Sequence, residues 1–392
     1  MVLSFLDATL LLFSSISAGP AGIEPTIAAA GLANTILGLI AVQLFIGLPQ
    51  AVIVLALVEH TGNENGGALH WADKLIGRRA RNVCAFAQLV ANCATAAAVA
   101  QIADAYLSTV WSQTRLVVYA ISVGSVIISF SLCAISIRAV VRACSLFALF
   151  TLVVFSILLA YSVPKIEWRR LKEPHVTSID WVLFLNYLIF NATGYDASAV
   201  LSSEMAPNAR AMLKWIILSV MIITAAMYTI TLGTAYLATR EPDSEWHSGH
   251  FADVGGELGG AFLKILVIAA AIGSMCQMFT SSFEMATVSI QSGFNASRFT
   301  SLGVVFFLSI GFCFVPIDAS LGIQACFYSF LYIVEIFLYT LLNRRVNILL
   351  YTLFALSLVI SIVVIIAQHW YVSVASFGTL GALALISTAT NS

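Results

Sequence analysis

Runs of about twenty apolar residues recur from one end of this chain to the other, and that feature limits what it can become. A run of that length closes all its backbone hydrogen bonds as a helix and crosses the hydrocarbon core of a bilayer. Of the 392 residues, 60% are hydrophobic and 9% charged, against roughly a quarter charged in a soluble domain. The chain reads as an all-α integral membrane protein, with no polar stretch long enough for a soluble domain.

Apolar runs set against breaks give twelve candidate transmembrane helices. The first six centre in Leu3–Ala30, Leu32–Val58, Val83–Leu107, Leu116–Ile137, Val140–Ser162 and Trp181–Ser203. The second six centre in Leu213–Ala238, Ala261–Ile290, Leu302–Val315, Leu321–Leu342, Val346–Ala367 and Trp370–Ile386. The opening MVLSFLDATL has no Lys or Arg and carries Asp7, unlike a secretory signal, so the first run is expected to be a retained span. With the amino terminus on the cytoplasmic side, eleven Lys and Arg collect inside and seven outside, which follows the positive-inside tendency.

A formal net charge of −1 gives no basic surface for nucleic acid. The seven cysteines lie in or at the ends of apolar runs without a CxxC pair and read as small apolar residues. His247 and His250 sit in a polar loop and read as solvated residues, so neither a metal site nor a cofactor is expected.

The first run is interrupted by SAGPAGIEP, Ser17 to Pro25, and the sixth by FNATGYDASA around Asn191, Gly194 and Asp196. Peptide groups freed inside a bilayer cost several kcal/mol each unless they are buried in protein or line a cavity. Matched interruptions in two halves of a chain point to a secondary transporter built from inverted repeats. Each break is followed within two residues by a carboxylate, Glu24 or Asp196. An ionised carboxylate at mid-bilayer costs about 2.5–3.5 kcal/mol. No Lys or Arg lies between Trp181 and Met205, so a partner for Asp196 must come from another helix, a cationic solute or a proton. Phe190 and Tyr195 flank the break, where a ring can close over an amine. Glu204 reads as interfacial or as a gate, and Glu335 and Glu284 as structural or functional acids inside the membrane. Asp104 reads as interfacial.

These residues resemble the polyamine uptake transporters of plants and protists, in the L-type amino acid transporter branch of the amino acid-polyamine-organocation superfamily. SAGPAGIEPTIAAAG is similar to that family's SGGPFGVEDSVSAAG, keeping Gly19, Pro20, Gly22 and Glu24. LPQAV with Pro49 and Gln50, and NENGG, are similar to its IPEAL and PENGG. FLNYLIFNATGYDASAVLSSEMAPN resembles its sixth helix, with Asn186, Asn191, Asp196, Leu201 and Glu204 in place. HFADVGGELGGAFLK and FYSFLYIVE extend the likeness and place Glu335 on a family acid. Three family acids fall on Leu57, Ser282 and Ala286, and the fifth run, Val140–Ser162, has no Lys.

The resemblance implies a five-plus-five inverted repeat with discontinuous first and sixth helices and two further helices. Within one transporter domain, 1–392, the repeats are expected at 1–162 and 180–342, with the last two helices at 346–392. It also implies proton-driven uptake of polyamines or related cationic amines by alternating access at the plasma membrane. Gly19, Pro20, Ala21, Gly22, Ile23, Phe190, Asn191, Thr193, Gly194, Tyr195 and Asp196 are the expected binding residues. Asp196, Glu204 and Glu335 are the candidates for carrying the proton. Transport of neutral or cationic amino acids and a carrier-derived protein that does not transport stay open, and no enzyme chemistry is expected.

Overall fold

The computed structural model describes residues 3–17, 19–61, 67–111, 115–172, 178–202, 205, 211–342, 355 and 359. They form helices connected by short turns, with no strand among the described residues. The first broken run supplies α1 (Phe5–Ile16) and α2 (Pro25–Ala30). The second becomes α3 (Leu32–Val42), a π-helical turn at Gln43–Gly47 and α4 (Leu48–Thr61). Beyond a short α5 (Ala68–Leu75) come α6 (Arg78–Ser108), α7 (Arg115–Ile135) and α8 (Ile137–Ser162). The second broken run supplies α9 (Trp181–Ala192) and α10 (Ala197–Ser202). Next come α11 (Leu213–Ala238), α12 (His250–Phe294), α13 (Arg298–Phe312) and α14 (Ile317–Leu342).

Seven of these helical stretches are long and apolar enough to cross a membrane, and three shorter apolar helices of 10–17 residues accompany them. The protein is an integral membrane protein. Two of the short ones, α1 and α9, fall short because their runs break midway. The eleventh and twelfth expected helices lie outside the described residues.

Four helix starts fall on polar residues whose side chains satisfy freed backbone donors. Ser4 and Asp7 form a reciprocal capping box on α1. Ser136, Asp180 and Ser297 cap α8, α9 and α13 through their side-chain oxygens. Gly260, at φ +71°, bends α12 between its first turns and its long membrane segment.

The interior centres on α6. Its alanine-rich sequence lets neighbours come close, and 83% of its most apolar stretch is buried against 22% for α7, which is left to face lipid. Where α12 crosses α6, a Cβ on Gly293 would stand 2.2 Å from Ala85 Cβ. Exposed Trp111, Trp168 and Trp181 lie at the ends of helices that finish or start on one side, and Trp215 opens a helix on the other. That is where amphipathic rings settle at the membrane interface. Leu3 and Met205 pair as an isolated parallel bridge, joining the start of the first broken span to the chain beyond α10.

Candidate functional site

α1 ends at Ile16, and no helix resumes until Pro25 opens α2. Gly19 and Gly22 adopt φ +117° and +90°, a region costly for any residue with a Cβ. Glycine is needed at residue 19 for room as well, since a Cβ there would sit 2.6 Å from Thr151 Cγ2. Three N–H groups of this break are bonded within it. Gly19 N–H donates to Ser17 Oγ at 3.2 Å, and Ile23 N–H to the Pro20 carbonyl at 3.4 Å. Gly22 N–H donates to Glu24 Oε2 at 2.6 Å. The other Glu24 oxygen accepts from the Tyr106 hydroxyl on α6 and, at 3.3 Å, from Gly249 N–H ahead of α12. Ala21, Ile23 and Glu24 are buried.

The second break follows α9. Thr193 is extended, Gly194 takes φ +108°, and helix resumes at Ala197. Thr193 Oγ1 donates to the Ile189 carbonyl and Asn191 Nδ2 to the Tyr187 carbonyl, both at 2.8 Å. Tyr195 donates to Gln43 Oε1 at 2.8 Å, anchoring the break to the π-helical turn of the second span. Phe190 is buried on α9. The Asp196 carboxylate faces the N–H groups of its own residue and Ala197. Its Oδ1 is buried without a hydrogen-bond partner among the described residues.

The two breaks abut. A Cβ on Gly194 would lie 3.8 Å from the Ser15 carbonyl oxygen and from Ile16 Cγ1. From α11, the buried Tyr228 hydroxyl stands 2.9 Å from the Ser17 carbonyl and 2.8 Å from Asn191 Oδ1. It reaches both broken helices at once.

Two small cavities open beside this junction. One, of about 10 Å³, is lined by Asp196, Gly194 and Ser15 from the breaks, by Asn92 from α6, and by Ser281 and Tyr328 among others. Its neighbour, also of about 10 Å³, is lined by Thr193, Gln50, Ile46 and again Tyr328. Gln50 Nε2 donates to Glu335 Oε2 at 3.1 Å, so Glu335 lies one layer behind the second cavity. Glu335 is fully buried, its Oε1 has no partner among the described residues, and it is within electrostatic reach of Asp196. No Lys or Arg among the described residues pairs with either acid.

Of the expected binding residues, Thr193, Gly194 and Asp196 line these cavities. Gly19 to Ile23, Phe190, Asn191 and Tyr195 pack around the junction and are not among the described lining residues. Glu204 lies outside the described residues. Glu284 forms a bidentate pair with Arg298, at 2.8 and 2.9 Å, and Arg298 also donates to the Cys133 carbonyl. That gives Glu284 a structural task. Asp104 is half-buried near the end of α6. Among the described residues no group of His, Cys, Asp and Glu could hold a metal ion.

Sequence reading passed over Asn92 and Ser281 and noted Ser282 only as the place of a missing family acid; all three are cavity-lining groups from α6 and α12. The available signal was polar residues inside otherwise apolar or alanine-rich helices: Asn92 in VANCA and the pair Ser281–Ser282 in FTSSF.

The amino acid permease profile matches residues 3–379. The chain belongs to this family. Proteins that resemble it include polyamine transporter PUT1 of Oryza sativa subsp. japonica, 25% identical over 293 residues. A probable polyamine transporter of Arabidopsis thaliana is 26% identical over 291 residues, and polyamine transporter RMV1 of the same plant 25% over 299. Each alignment covers 74% of this permease and 54%, 58% and 59% of the respective relative. The chain therefore aligns with little more than half the length of the relatives it matches.

Proposed function

We propose that this permease is a secondary active transporter carrying polyamines or related cationic amines, coupled to protons, by alternating access at the junction of its two broken helices. The observation that carries the reading is Asp196: a buried carboxylate on a cavity, with one oxygen unpartnered and no basic side chain beside it among the described residues. An ammonium about 4 Å away is worth about 4 kcal/mol at an effective dielectric near 20, enough to offset the cost of about 2.5–3.5 kcal/mol for holding the charge at mid-membrane. Gly19 to Ile23, Phe190, Asn191, Thr193, Gly194 and Tyr195 shape the site, with Phe190 as its gate. Glu335, behind Gln50, is the second acid for proton transfer, with Glu204 a third candidate. The relatives named as polyamine transporters favour the same solute class.

The five-plus-five repeat, with halves at 1–162 and 180–342 followed by 346–392, and a plasma membrane location belong to this reading. A solute held at the junction is released by rocking the broken helices against α6 and α12.

Uptake of radiolabelled putrescine and spermidine into proteoliposomes, with and without a pH gradient, tests it. Asp196→Asn is expected to abolish concentrative uptake, and Glu335→Gln to remove its dependence on the gradient. Undiminished, gradient-dependent uptake by Asp196→Asn would reject the assignment.

The rival reading is an amino acid carrier whose first break grips the substrate carboxylate, as half-helix ends do in related transporters. Glu24 counts against it, because Gly22 N–H is already taken by this internal carboxylate.

A further inference from the structure

Among the described residues, Glu24 is the most deeply buried acid that the transport reading does not use. Its carboxylate is fully buried and held by donors from three places: Gly22 N–H inside the first break, the Tyr106 hydroxyl on α6, and Gly249 N–H before α12. None of these donors belongs to a basic residue. Together they make a socket shaped for one carboxylate, built from neutral groups, at the break that abuts Gly194 of the substrate cavity.

A carboxylate entering with a substrate would seek the same donors, and it would find Gly22 N–H, the Tyr106 hydroxyl and Gly249 N–H already bonded to Glu24. We infer that Glu24 is a built-in carboxylate that fills the break's anion socket, so that the permease accepts amines and rejects the amino acids that differ from them by one carboxylate. The inference rests on the proposed amine site at Asp196 and deepens it by naming the residue that sets selectivity.

The physical basis is asymmetric. A buried donor left without its acceptor loses the full desolvation free energy of that group, so an emptied socket has a strong demand for a new acceptor. Sites with buried polar groups discriminate sharply between ligands that do and do not satisfy them. Removing the internal carboxylate therefore weakens the filled state and makes a place for a carboxylate from outside.

Putrescine and ornithine are the probes, since ornithine is the same diamine bearing one α-carboxylate. In detergent-solubilised protein, binding of each to the wild type is compared with binding to Glu24→Ala and to the near-isosteric Glu24→Gln. The wild type is expected to prefer putrescine, and Glu24→Ala to narrow that preference about ten- to a hundredfold. Adding propionate, which replaces the lost carboxylate, is expected to raise the melting temperature of Glu24→Ala and restore the preference, with no such effect on the wild type. Glu24→Gln keeps the shape and one acceptor oxygen but turns the other into an amide donor, so it is expected to fall between the two.

An unchanged putrescine-to-ornithine ratio in folded Glu24→Gln or Glu24→Ala would overturn the inference. So would a wild type that binds both equally. A wild type that binds neither would instead remove the amine reading on which it rests, and the two failures are thus separable. If Glu24→Ala does not fold, Glu24→Gln and Tyr106→Phe carry the test, the latter expected to loosen selectivity in the same direction by removing one donor.

Discussion

Glu284 and Asp196 are both buried carboxylates, and the contrast between them lies in their partners. Arg298 grips Glu284 through two hydrogen bonds and ties it to the Cys133 carbonyl, joining α12, α13 and the end of α7. The guanidinium is partly exposed, so screening trims the pair, and Glu284→Gln is expected to cost about 1–3 kcal/mol. Thermal unfolding in detergent should show the loss, with solute preference unchanged. Asp196 has no such partner, and its replacement is expected to strike uptake while leaving the fold in place. Arg240, just beyond α11, and Arg169 hold Glu167, in the loop between α8 and α9, below the usual carboxylate range. The folded pKa is the lower one, so this tie contributes above the unfolded value near 4.5 and fades as pH falls through the folded value. Thermal midpoints measured from pH 7 down to pH 3 are expected to decline more in the wild type than in Glu167→Gln.

At the scale of elements, the α6–α12 crossing depends on glycine. A methyl at Gly293 would overlap Ala85 Cβ, an atom fixed to the backbone that cannot rotate aside. Gly293→Ala is expected to cost about 1–3 kcal/mol by forcing the helices apart, read as a lower melting temperature and poorer recovery of folded protein. Tyr195→Phe would free Gln43 and is expected to slow transport more than it lowers stability, since it cuts the link between the second break and the π turn. Both broken helices were legible in the sequence, because Gly, Pro and a carboxylate inside an apolar run contradict the continuous helix the run otherwise demands. The π turn was not legible. QLFIG has no residue that excludes an ordinary helix, and only the chain's packing shows the extra residue in that turn. Asn92 and Ser281 were passed over for a related reason: a single polar residue on a helix does not reveal which face looks inward.

On the scale of the whole molecule, the site is assembled from remote parts of the chain. Glu24 meets partners 82 and 225 residues away, and Gln50 meets Glu335 at a separation of 285. Spacing along a sequence carries no trace of such meetings. A motif resemblance can place Glu335 on a family acid, but the layer of Gln50 between it and the cavity comes only from the fold.

Tyr228 has a consequence for motion. A phenol carries one proton, yet two acceptors on separate broken helices stand at bonding distance from it. Whichever acceptor holds that proton leaves the other's lone pair waiting. The handover needs only a turn about the C–O bond, so one hydroxyl can tether either half of the junction in turn.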